Sequence, residues 1–539
     1  MSSPVQILVE QIQRHLQMGN LNNLANQVTE FFHANDLGGA QQLQVVQVLM
    51  QHGQWVPALQ VLEQITIKDS NGLMMLAMCL EQVGNFRKAV EALLSCLDAG
   101  DKRPIIHRLL SSNLAKLRDL DSAIREFDLY LQGIQPQVSD YLQAVDLRLL
   151  GRKLEAARSA LDQAKALAGD AMPVAGKVLE AKVLRLEKQG QQSLALAQQV
   201  VAEDVKLAES WSIIAELASE QGLSESITAL EQSLASQVGT DYNSVSRRYS
   251  LAKMYDRVGR IDDAYAGFCD ANAAQLQALV AQKQVFDEHQ LQALTERNMQ
   301  LVVEAPLAAA DFTPVFIVGL PRTGSTLVER LLSQSPAVQA LGENERFLLL
   351  ANELLAVNKN AGGAIAWADL NVLAQQYLPS KPVGSHVVNK LLHNVFYVRL
   401  ILAVFPNAKI IQMRRSYEDM AWSIFKNYFP AGHNYACDFD HIKLYYTKVN
   451  ALMDHWGSRY PEAVRDVCYE SVVANPDEEL AKVFELLGLP WDAGYKDFYR
   501  DAQPSFTFSE AQVQKEINSS GVDAWRKYEA HLAPVFGLR

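Results

Sequence analysis

Apolar and polar positions follow two different periods along the chain. Up to about residue 300, apolar residues recur every three or four positions in segments of roughly a dozen residues, as in amphipathic helices. From residue 315 onward, short apolar runs alternate with helical segments. Strands that alternate with helices predict a parallel sheet covered by helices. The sequence therefore predicts an α-helical part followed by an α/β domain.

The helical part is made of segments that resemble one another. In each, an amphipathic helix leads through a turn to a second helix with a small or apolar residue at an aligned position. The aligned residues are Ala58, Ala89, Ala123, Ala156, Ala195, Ile227 and Ala264, which are 31, 34, 33, 39, 32 and 37 residues apart. Two helices every 34 residues are typical of tetratricopeptide repeats. Stacked repeats form a solenoid with a concave surface that suits a peptide or partner protein. The alternative is that the array only supports the rest of the chain or makes a dimer.

Four apolar runs in the second part predict buried strands, and a helical segment follows each. The runs are 315–319, 385–390, 408–415 and 465–470, and the helical segments are 324–335, 392–405, 416–429 and 475–488. We therefore predict a repeat array at 1–300, a linker at 301–311 and a P-loop-like α/β domain at 312–539. Ligands of such sheets bind at the carboxyl ends of the strands.

The first strand leads into the loop GLPRTGST at 319–326. Gly319, Gly324 and Thr326 occupy the positions of a phosphate-binding P-loop, but Ser325 stands where nucleoside triphosphatases have a lysine. Backbone amides at the start of a helix can hold a phosphate, and Arg322 supplies positive charge inside the loop. This arrangement suits a terminal phosphate group better than the magnesium-triphosphate geometry of phosphoryl transfer.

Composition narrows the possible functions. The 539 residues are too many for one core, and the net charge of −12 argues against a general affinity for nucleic acid or anionic membranes. The five cysteines include no C-x-x-C pair, so we expect neither a disulfide framework nor a metal site. No apolar run of about 18 residues and no signal sequence is present, so we expect no membrane span and a cytoplasmic location.

The segment FIVGLPRTGSTLVERLL at 316–332 resembles the 5′-phosphosulfate loop of sulfotransferases that use 3′-phosphoadenosine-5′-phosphosulfate. It is similar to the bacterial and tyrosylprotein branch, whose loop reads P-R-[ST]-G-[ST]-T and whose bacterial members often carry tetratricopeptide repeats ahead of this domain. The resemblance covers roughly 312–539. It implies that the loop binds the donor and that Arg322 also takes part in catalysis. The implied donor-binding residues of the loop are Pro321, Arg322, Thr323, Gly324, Ser325 and Thr326.

Later segments extend this resemblance. In QMRRSYEDMAWSIF at 412–425, Arg415 ends a strand and Ser423 follows eight residues later, a spacing with which the family binds the 3′-phosphate of the donor. In VVNKLLHNVF at 387–396, Lys390 matches a lysine that stabilises the leaving group and the sulfuryl oxygens.

Two further segments imply contacts with the nucleotide. VCYESVVANP at 467–476 resembles a family strand and places Tyr469 near the nucleotide. The closing segment at 517–538 is like that of bacterial members, and it adds Ser519 and Arg526 as donor contacts, with Lys527 as the alternative to Arg526.

The base for the acceptor is expected in LGENERF at 341–347. The family has a glutamate after this glycine that removes the acceptor proton. Tyrosylprotein enzymes use the second glutamate of G-E-E-x-R, and Asn344 occupies that position here. We favour Glu343 as this base, and Glu345 is the alternative. Because of this departure the acceptor also stays open: a hydroxyl or phenol on a protein or peptide held by the repeats, on a carbohydrate or lipid, or on a small phenol.

Two other functions compete with a sulfotransferase that needs no metal. A P-loop kinase or hydrolase is disfavoured because the loop lysine is missing and no magnesium-binding aspartate follows a strand. A non-catalytic tetratricopeptide adaptor is disfavoured because Arg322, Glu343, Lys390, Arg415 and Ser423 are all retained. We expect no nucleic-acid partner, and a homodimer stays open.

Overall fold

The structure, a computed structural model, describes residues 4–17, 24–35, 37–65, 69–236, 239–361, 364–378, 382–500 and 516–538. The chain divides into two compact units, Met1–Met172 and Pro173–Arg539. The second unit contains the last helical repeats together with the α/β domain. The predicted boundaries at 300 and 312 stay a prediction, and the first strand begins at Thr313.

The first unit is built from α-helices that pack in pairs along the chain, such as α5 with α6 and α7 with α8. The helices are α1 (Pro4–Gln17), α2 (Leu24–Ala34), α3 (Gly39–Gln51), α4 (Trp55–Gln64), α5 (Ser70–Gln82), α6 (Phe86–Asp98), α7 (Pro104–Lys116), α8 (Leu120–Gln132), α9 (Val138–Leu150) and α10 (Leu154–Ala168). A short 3-10 turn follows at Gly169–Ala171.

The second unit begins with further helices of the same kind, of which α11 packs on α12 and α15 on α16. They are α11 (Val174–Leu186), α12 (Gly190–Glu203), α13 (Ala208–Leu217), α14 (Glu220–Ala235), α15 (Tyr242–Arg257), α16 (Ile261–Ala281) and α17 (Glu288–Met299). The tetratricopeptide-type helix pairs predicted from the sequence are confirmed.

The turn within a pair needs one residue in the left-handed region. Gly84 supplies it with a φ of 81°, whereas Arg152 and Lys188 adopt it at 60° and 62°. Five residues after each of these positions a small side chain is fully buried between the helices. In the repeats whose turn residues are Arg152 and Lys188, the small buried residues are therefore Ala157 and Ser193. The predicted Ala156 and Ala195 are wrong: Ala156 is only partly buried and Ala195 is exposed, because the left-handed turn residues are Arg152 and Lys188.

The α/β domain follows the predicted alternation. Its elements are β1 (Thr313–Gly319), α18 (Ser325–Leu332), β2 (Val338–Ala340), α19 (Arg346–Ala361), α20 (Trp367–Tyr377), β3 (His386–Asn389), α21 (Val398–Val404), β4 (Lys409–Arg414), α22 (Tyr417–Phe425), α23 (Phe439–Arg459), β5 (Val464–Cys468), α24 (Tyr469–Ala474), α25 (Pro476–Leu487) and α26 (Glu529–Phe536). Shorter 3-10 turns lie at Leu392–Tyr397, Ala493–Arg500, Ser519–Gly521 and Ala524–Tyr528.

The strands form one parallel sheet in the order β2-β3-β1-β4-β5. The four predicted strands and the predicted fold class, helical repeats followed by an α/β domain with a parallel sheet, are confirmed. The sequence pattern missed β2, which is three residues long and only partly buried. The predicted helix at 392–405 begins with a 3-10 turn before α21.

The central strand β1 places alternate side chains in the cores on its two faces. Phe316 packs against Phe347 and Tyr377 on one face, and Val315 and Ile317 belong to the core with α18 and α25 on the other. All three β1 residues are fully buried, which stabilises the fold by about 1.5–3 kcal/mol for each large side chain. This burial fixes the start of the loop that follows β1.

The last repeat helices pack directly on the α/β domain. Asn272 Nδ2 donates to the carbonyl of Phe425 at 2.8 Å, and Gln275 Nε2 donates to that of Phe429 at 2.7 Å. Both donors are buried on α16, so these contacts satisfy the carbonyl at the end of α22 and one in the loop that follows it. Among the described residues, no helix is long and apolar enough to cross a lipid bilayer.

Candidate functional site

The predicted site residues lie mainly where the parallel strands end, at one edge of the sheet. The segments that leave the strands there are 341–345 after β2, Lys390 after β3, 320–324 after β1, Arg415 after β4 and Tyr469 after β5. Because all five strands are parallel, segments far apart in the sequence meet at this edge.

Two glycines shape the loop between β1 and α18. Gly319 has a φ of 134°, and a Cβ there would lie 2.7 Å from the carbonyl oxygen of Met413. Gly324 has a φ of 82°, and its Cβ would lie 2.5 Å from Tyr469 Cδ2. The loop can therefore approach its neighbours only with glycine at both positions. Ser325 and Thr326 are buried in the first turn of α18, where backbone amides are available to an anion.

The remaining loop residues hold the turn in place. Arg322 is the non-glycine residue of the loop with a left-handed backbone, at a φ of 66°. The Thr323 hydroxyl donates to the carbonyl of Leu320 at 2.7 Å, and Pro321 is buried. Thr323 is fully buried, so its side chain stabilises the turn.

Arg322, Ser423 and Arg415 are joined directly. Arg322 Nε donates to Ser423 Oγ at 2.9 Å, and Arg415 Nη1 donates to the carbonyl of Arg322 at 2.7 Å. Arg415 Nη2 also donates to the carbonyl of Gly521, and its Cζ lies 4.7 Å above the centroid of the Tyr469 ring. Burial, with the nearby Arg415 charge, lowers the pKa of Arg322 to about 10, so the Arg322 guanidinium still carries its charge at neutral pH. Two adjacent cations of this kind suit a multiply charged anion.

A second group lies beside β3. The buried Lys390 has a side chain that is 2% exposed, and its Nζ donates to Glu343 Oε1 at 2.5 Å. Glu329 Oε2 lies 3.9 Å from the same nitrogen. The Glu343 side chain is 52% exposed, so its carboxylate can meet a molecule from solvent. The arrangement offers a base to an incoming hydroxyl and a cation to developing negative charge.

Hydrogen bonds hold the segment after β2 against the end of β3. The amide of Lys390 donates to the carbonyl of Gly342 at 2.9 Å, and Asn389 Nδ2 donates to that of Asn344 at 3.0 Å. Arg346 Nε donates to the carbonyl of Gln376. Glu343 is thus the glutamate that the structure pairs with Lys390.

His393 lies near both candidate bases. Burial lowers the pKa of its imidazole, and the charges of Glu345 and Glu343 act in the opposite direction. Its ring centroid lies 5.0 Å from that of His433. The choice between the two glutamates as base stays a prediction.

The closing segment contributes unequally to the site. The Tyr469 ring fits against Gly324 and Gly521, and burial raises the pKa of its hydroxyl. Ser519 is exposed, two residues before the Gly521 carbonyl that Arg415 contacts. Arg526 is exposed and pairs with Glu529 at 3.0 Å.

Asp419 holds the closing segment in place, a role that the sequence motifs do not mark. Its buried carboxylate accepts hydrogen bonds from the amides of Asp523 at 2.7 Å and Trp525 at 3.1 Å, and it lies 4.0 Å from Arg415 Nη2. Asp419 follows Arg415 by four residues, a spacing that allows an ion pair on a helix. The same spacing is common in ordinary helices, so it does not by itself mark a functional residue.

Two lysines outside the motifs add positive charge near Arg322. Lys253 of α15 and Lys426 after α22 are both electrostatic neighbours of Arg322. Within the described ranges no group of three or more metal-ligating side chains is found.

Residues 314–493 match the model of the Sulfotransferase family, so the sequence resemblance is confirmed for this part of the chain. An uncharacterized protein of Aquifex aeolicus is 29% identical over 386 residues, which cover 67% of this chain and 48% of that protein. A putative protein-tyrosine sulfotransferase of Caenorhabditis briggsae is 22% identical over 230 residues, 39% of this chain and 80% of that protein. The chain thus spans about half the length of the Aquifex relative.

A solved sulfotransferase domain from the Synechococcus PCC 7002 olefin synthase is 18% identical. The match covers 44% of this chain and 98% of that domain, with a TM-score of 0.30.

Proposed function

We propose that this chain, whose residues 314–493 form a sulfotransferase-family domain, transfers a sulfuryl group from 3′-phosphoadenosine-5′-phosphosulfate to a hydroxyl or phenol oxygen. The observation that carries the proposal is the contact of Arg322 with Ser423 and Arg415 beside the loop. Two cations and a hydroxyl gathered there suit a nucleotide with a phosphate besides the one that the loop holds.

The loop itself supports this donor. It needs glycine at two positions for close approach, and Ser325 replaces the lysine that a triphosphate requires. Ser325 and Thr326 bring hydroxyls to the start of α18, where amides favour an anion. We assign the phosphosulfate to the residues 321–326, the 3′-phosphate to Arg415 and Ser423, and a position beside the nucleotide to Tyr469. Ser519 and Arg526 stay predicted donor contacts.

The pair of Glu343 and Lys390 supplies the chemistry. Glu343 accepts the proton of the acceptor hydroxyl, and the acceptor oxygen then forms a bond to sulfur while the bond from sulfur to the phosphate oxygen breaks. Lys390 and Arg322 stabilise the negative charge that the leaving phosphate gains. The products are a sulfate ester and 3′,5′-adenosine bisphosphate, with the proton on Glu343.

We assign the acceptor to a protein or peptide held by the repeats. The support is that repeat helix α16 is hydrogen-bonded to the end of α22, which carries Ser423, and to the loop that follows it. In addition, a relative is named a putative protein-tyrosine sulfotransferase. Repeat surfaces commonly hold extended peptides. Asn344 in place of a second glutamate leaves tyrosine and serine or threonine hydroxyls as alternatives.

Calorimetric titration of the purified chain with 3′,5′-adenosine bisphosphate tests the donor, with ADP and ATP as controls. We expect the bisphosphate to bind more tightly than either control. Tight ATP binding with indifference to the bisphosphate would identify a nucleotide hydrolase or kinase instead. Binding of none of the three would favour the adaptor.

Transfer of labelled sulfate from the donor tests the acceptor. The assay compares tyrosine-containing peptides, the same peptides with phenylalanine in place of tyrosine, serine peptides and a small phenol. We expect labelled peptide. Labelling of the small phenol alone would contradict the role given to the repeats.

A further inference from the structure

One face of repeat helix α15 contacts the α/β domain. Tyr249, Lys253 and Asp256 lie on this face, four and then three residues apart. The Tyr249 ring stacks on that of Tyr428 with centroids 5.4 Å apart, and Asp256 Oδ1 accepts from Tyr528 Oη at 2.6 Å. Lys253 lies between these two contacts, so its side chain also faces the α/β domain.

Lys253 faces a group of cations there. Arg322 and Lys426 are its electrostatic neighbours, and both disfavour its charge. Lys426 follows Ser423 by three residues, about one helical turn, at the end of α22. The charges of Arg322, Lys527 and Arg415 likewise disfavour the positive charge of Lys426. Positive charge is therefore concentrated on the side of the loop where Ser423 lies.

Two acidic side chains, Asp256 and Glu216, favour the charges of Lys426 and Lys253 without forming an ion pair with either ammonium. Among the described residues, neither the Lys253 nor the Lys426 ammonium has a hydrogen bond or an ion pair. Glu216 is a weaker neighbour of Lys253, and Asp256, a neighbour of Lys426, already binds Tyr528 and Lys527. Burial lowers the pKa of Lys253 to about 8. Clustered cations with little solvent are unfavourable unless an anion binds among them.

The order of the strands separates this group from the proposed acceptor side. Lys390 and Glu343 follow β3 and β2 on one side of β1, whereas Arg415, Ser423 and Lys426 follow β4 on the other. An anion bound by Lys253 would therefore lie beside Ser423 and Arg415, away from Lys390 and Glu343.

We propose that Lys253 of the repeat array, together with Lys426, binds the 3′-phosphate of the nucleotide donor, an inference that rests on the proposed function. A phosphate dianion matches several ammonium and guanidinium groups around one hydroxyl. The repeats thereby complete the donor site, and their attachment to the α/β domain through α15 and α16 positions the lysine.

The test compares two nucleotides that differ only in the 3′-phosphate. Calorimetry on the full chain measures binding of 3′,5′-adenosine bisphosphate and of adenosine 5′-monophosphate to wild type, Lys253→Gln and Lys253→Arg. We expect Lys253→Gln to lower the bisphosphate affinity about 10- to 100-fold and to leave the monophosphate affinity unchanged. Lys253→Arg should retain most of the preference because it keeps the charge. Lys283→Gln, an exposed lysine at the end of α16, is the matched control and should change neither affinity.

Both nucleotides need the same folded site, so a loss of stability would weaken their binding equally. The ratio of the bisphosphate affinity to the monophosphate affinity therefore reports the 3′-phosphate contact alone. An unchanged ratio in Lys253→Gln overturns the role of Lys253 and leaves the proposed function intact. Wild-type protein without any preference for the bisphosphate overturns the proposed function, and this inference with it.

Discussion

Arg322 Nε donates a hydrogen bond to Ser423 Oγ at 2.9 Å, which joins two residues 101 positions apart in the chain. The contact connects the loop after β1 with the helix after β4. Arg415 reinforces it through the carbonyl of Arg322. The predicted phosphate-binding groups are therefore held together by protein contacts, which reduces the ordering required when an anion binds.

Replacing Arg415 should weaken nucleotide binding. We expect Arg415→Ala to bind 3′,5′-adenosine bisphosphate about 1–3 kcal/mol less tightly, because a charge-assisted hydrogen bond is lost. Arg414→Ala is the matched control, since that neighbour pairs with Asp454 and Asp466. Calorimetry on both variants checks the prediction, which fails if the two lose equal affinity.

Replacing the proposed base should separate binding from turnover. We expect Glu343→Gln to bind the bisphosphate normally and to transfer sulfate about 10²–10⁴-fold more slowly. Glu345→Gln serves as the comparison and should be affected much less. If only the second variant loses turnover, Glu345 is the base.

Gly324 should not tolerate a side chain. We expect Gly324→Ala to cost about 1 kcal/mol of folding free energy for the left-handed backbone, and about 1–3 kcal/mol more for contact with the Tyr469 ring. Gly488→Ala isolates the backbone cost, because its φ is 69° and nothing lies within 4 Å of the added carbon. Urea unfolding compares the two, and equal losses would contradict the contact with Tyr469.

His433 should make the fold sensitive to acid. Burial, with the nearby His393 as a smaller cause, lowers the pKa of His433 from 6.5 to about 3. The unfolded chain then binds more protons than the folded chain between these values, so the free energy of unfolding falls as the pH drops from 6.5 toward 3. His433→Asn should reduce this dependence in urea unfolding at several pH values. His289→Asn, at an exposed position, should leave it unchanged.

The contact between α16 and the α/β domain should contribute to stability. Gln275 accepts from Tyr249 Oη at 2.8 Å and donates to the carbonyl of Phe429. We expect Gln275→Ala to lower the free energy of unfolding by about 1–3 kcal/mol, because buried groups lose their partners. Gln277→Ala, an exposed position on the same helix, should have little effect, and thermal unfolding distinguishes the two.

The sequence by itself determined the elements and the phosphate loop. Hydrophobic periodicity and turn glycines are local properties, so the helix pairs, four of the five strands and the loop could be predicted. Parallel strands also place their carboxyl ends at one edge, which is why Arg415 and Lys390 could be expected near the loop.

Only the tertiary structure decided which side chains meet. The pairing of Lys390 with Glu343 and the hydrogen bonds of Asp419 to the closing segment join residues that no local pattern connects. Such contacts depend on how helices from distant parts of the chain pack, because burial and the sum of nearby charges are set by the whole fold. Within the repeats, Arg152 and Lys188 have a left-handed backbone that the sequence alone did not predict.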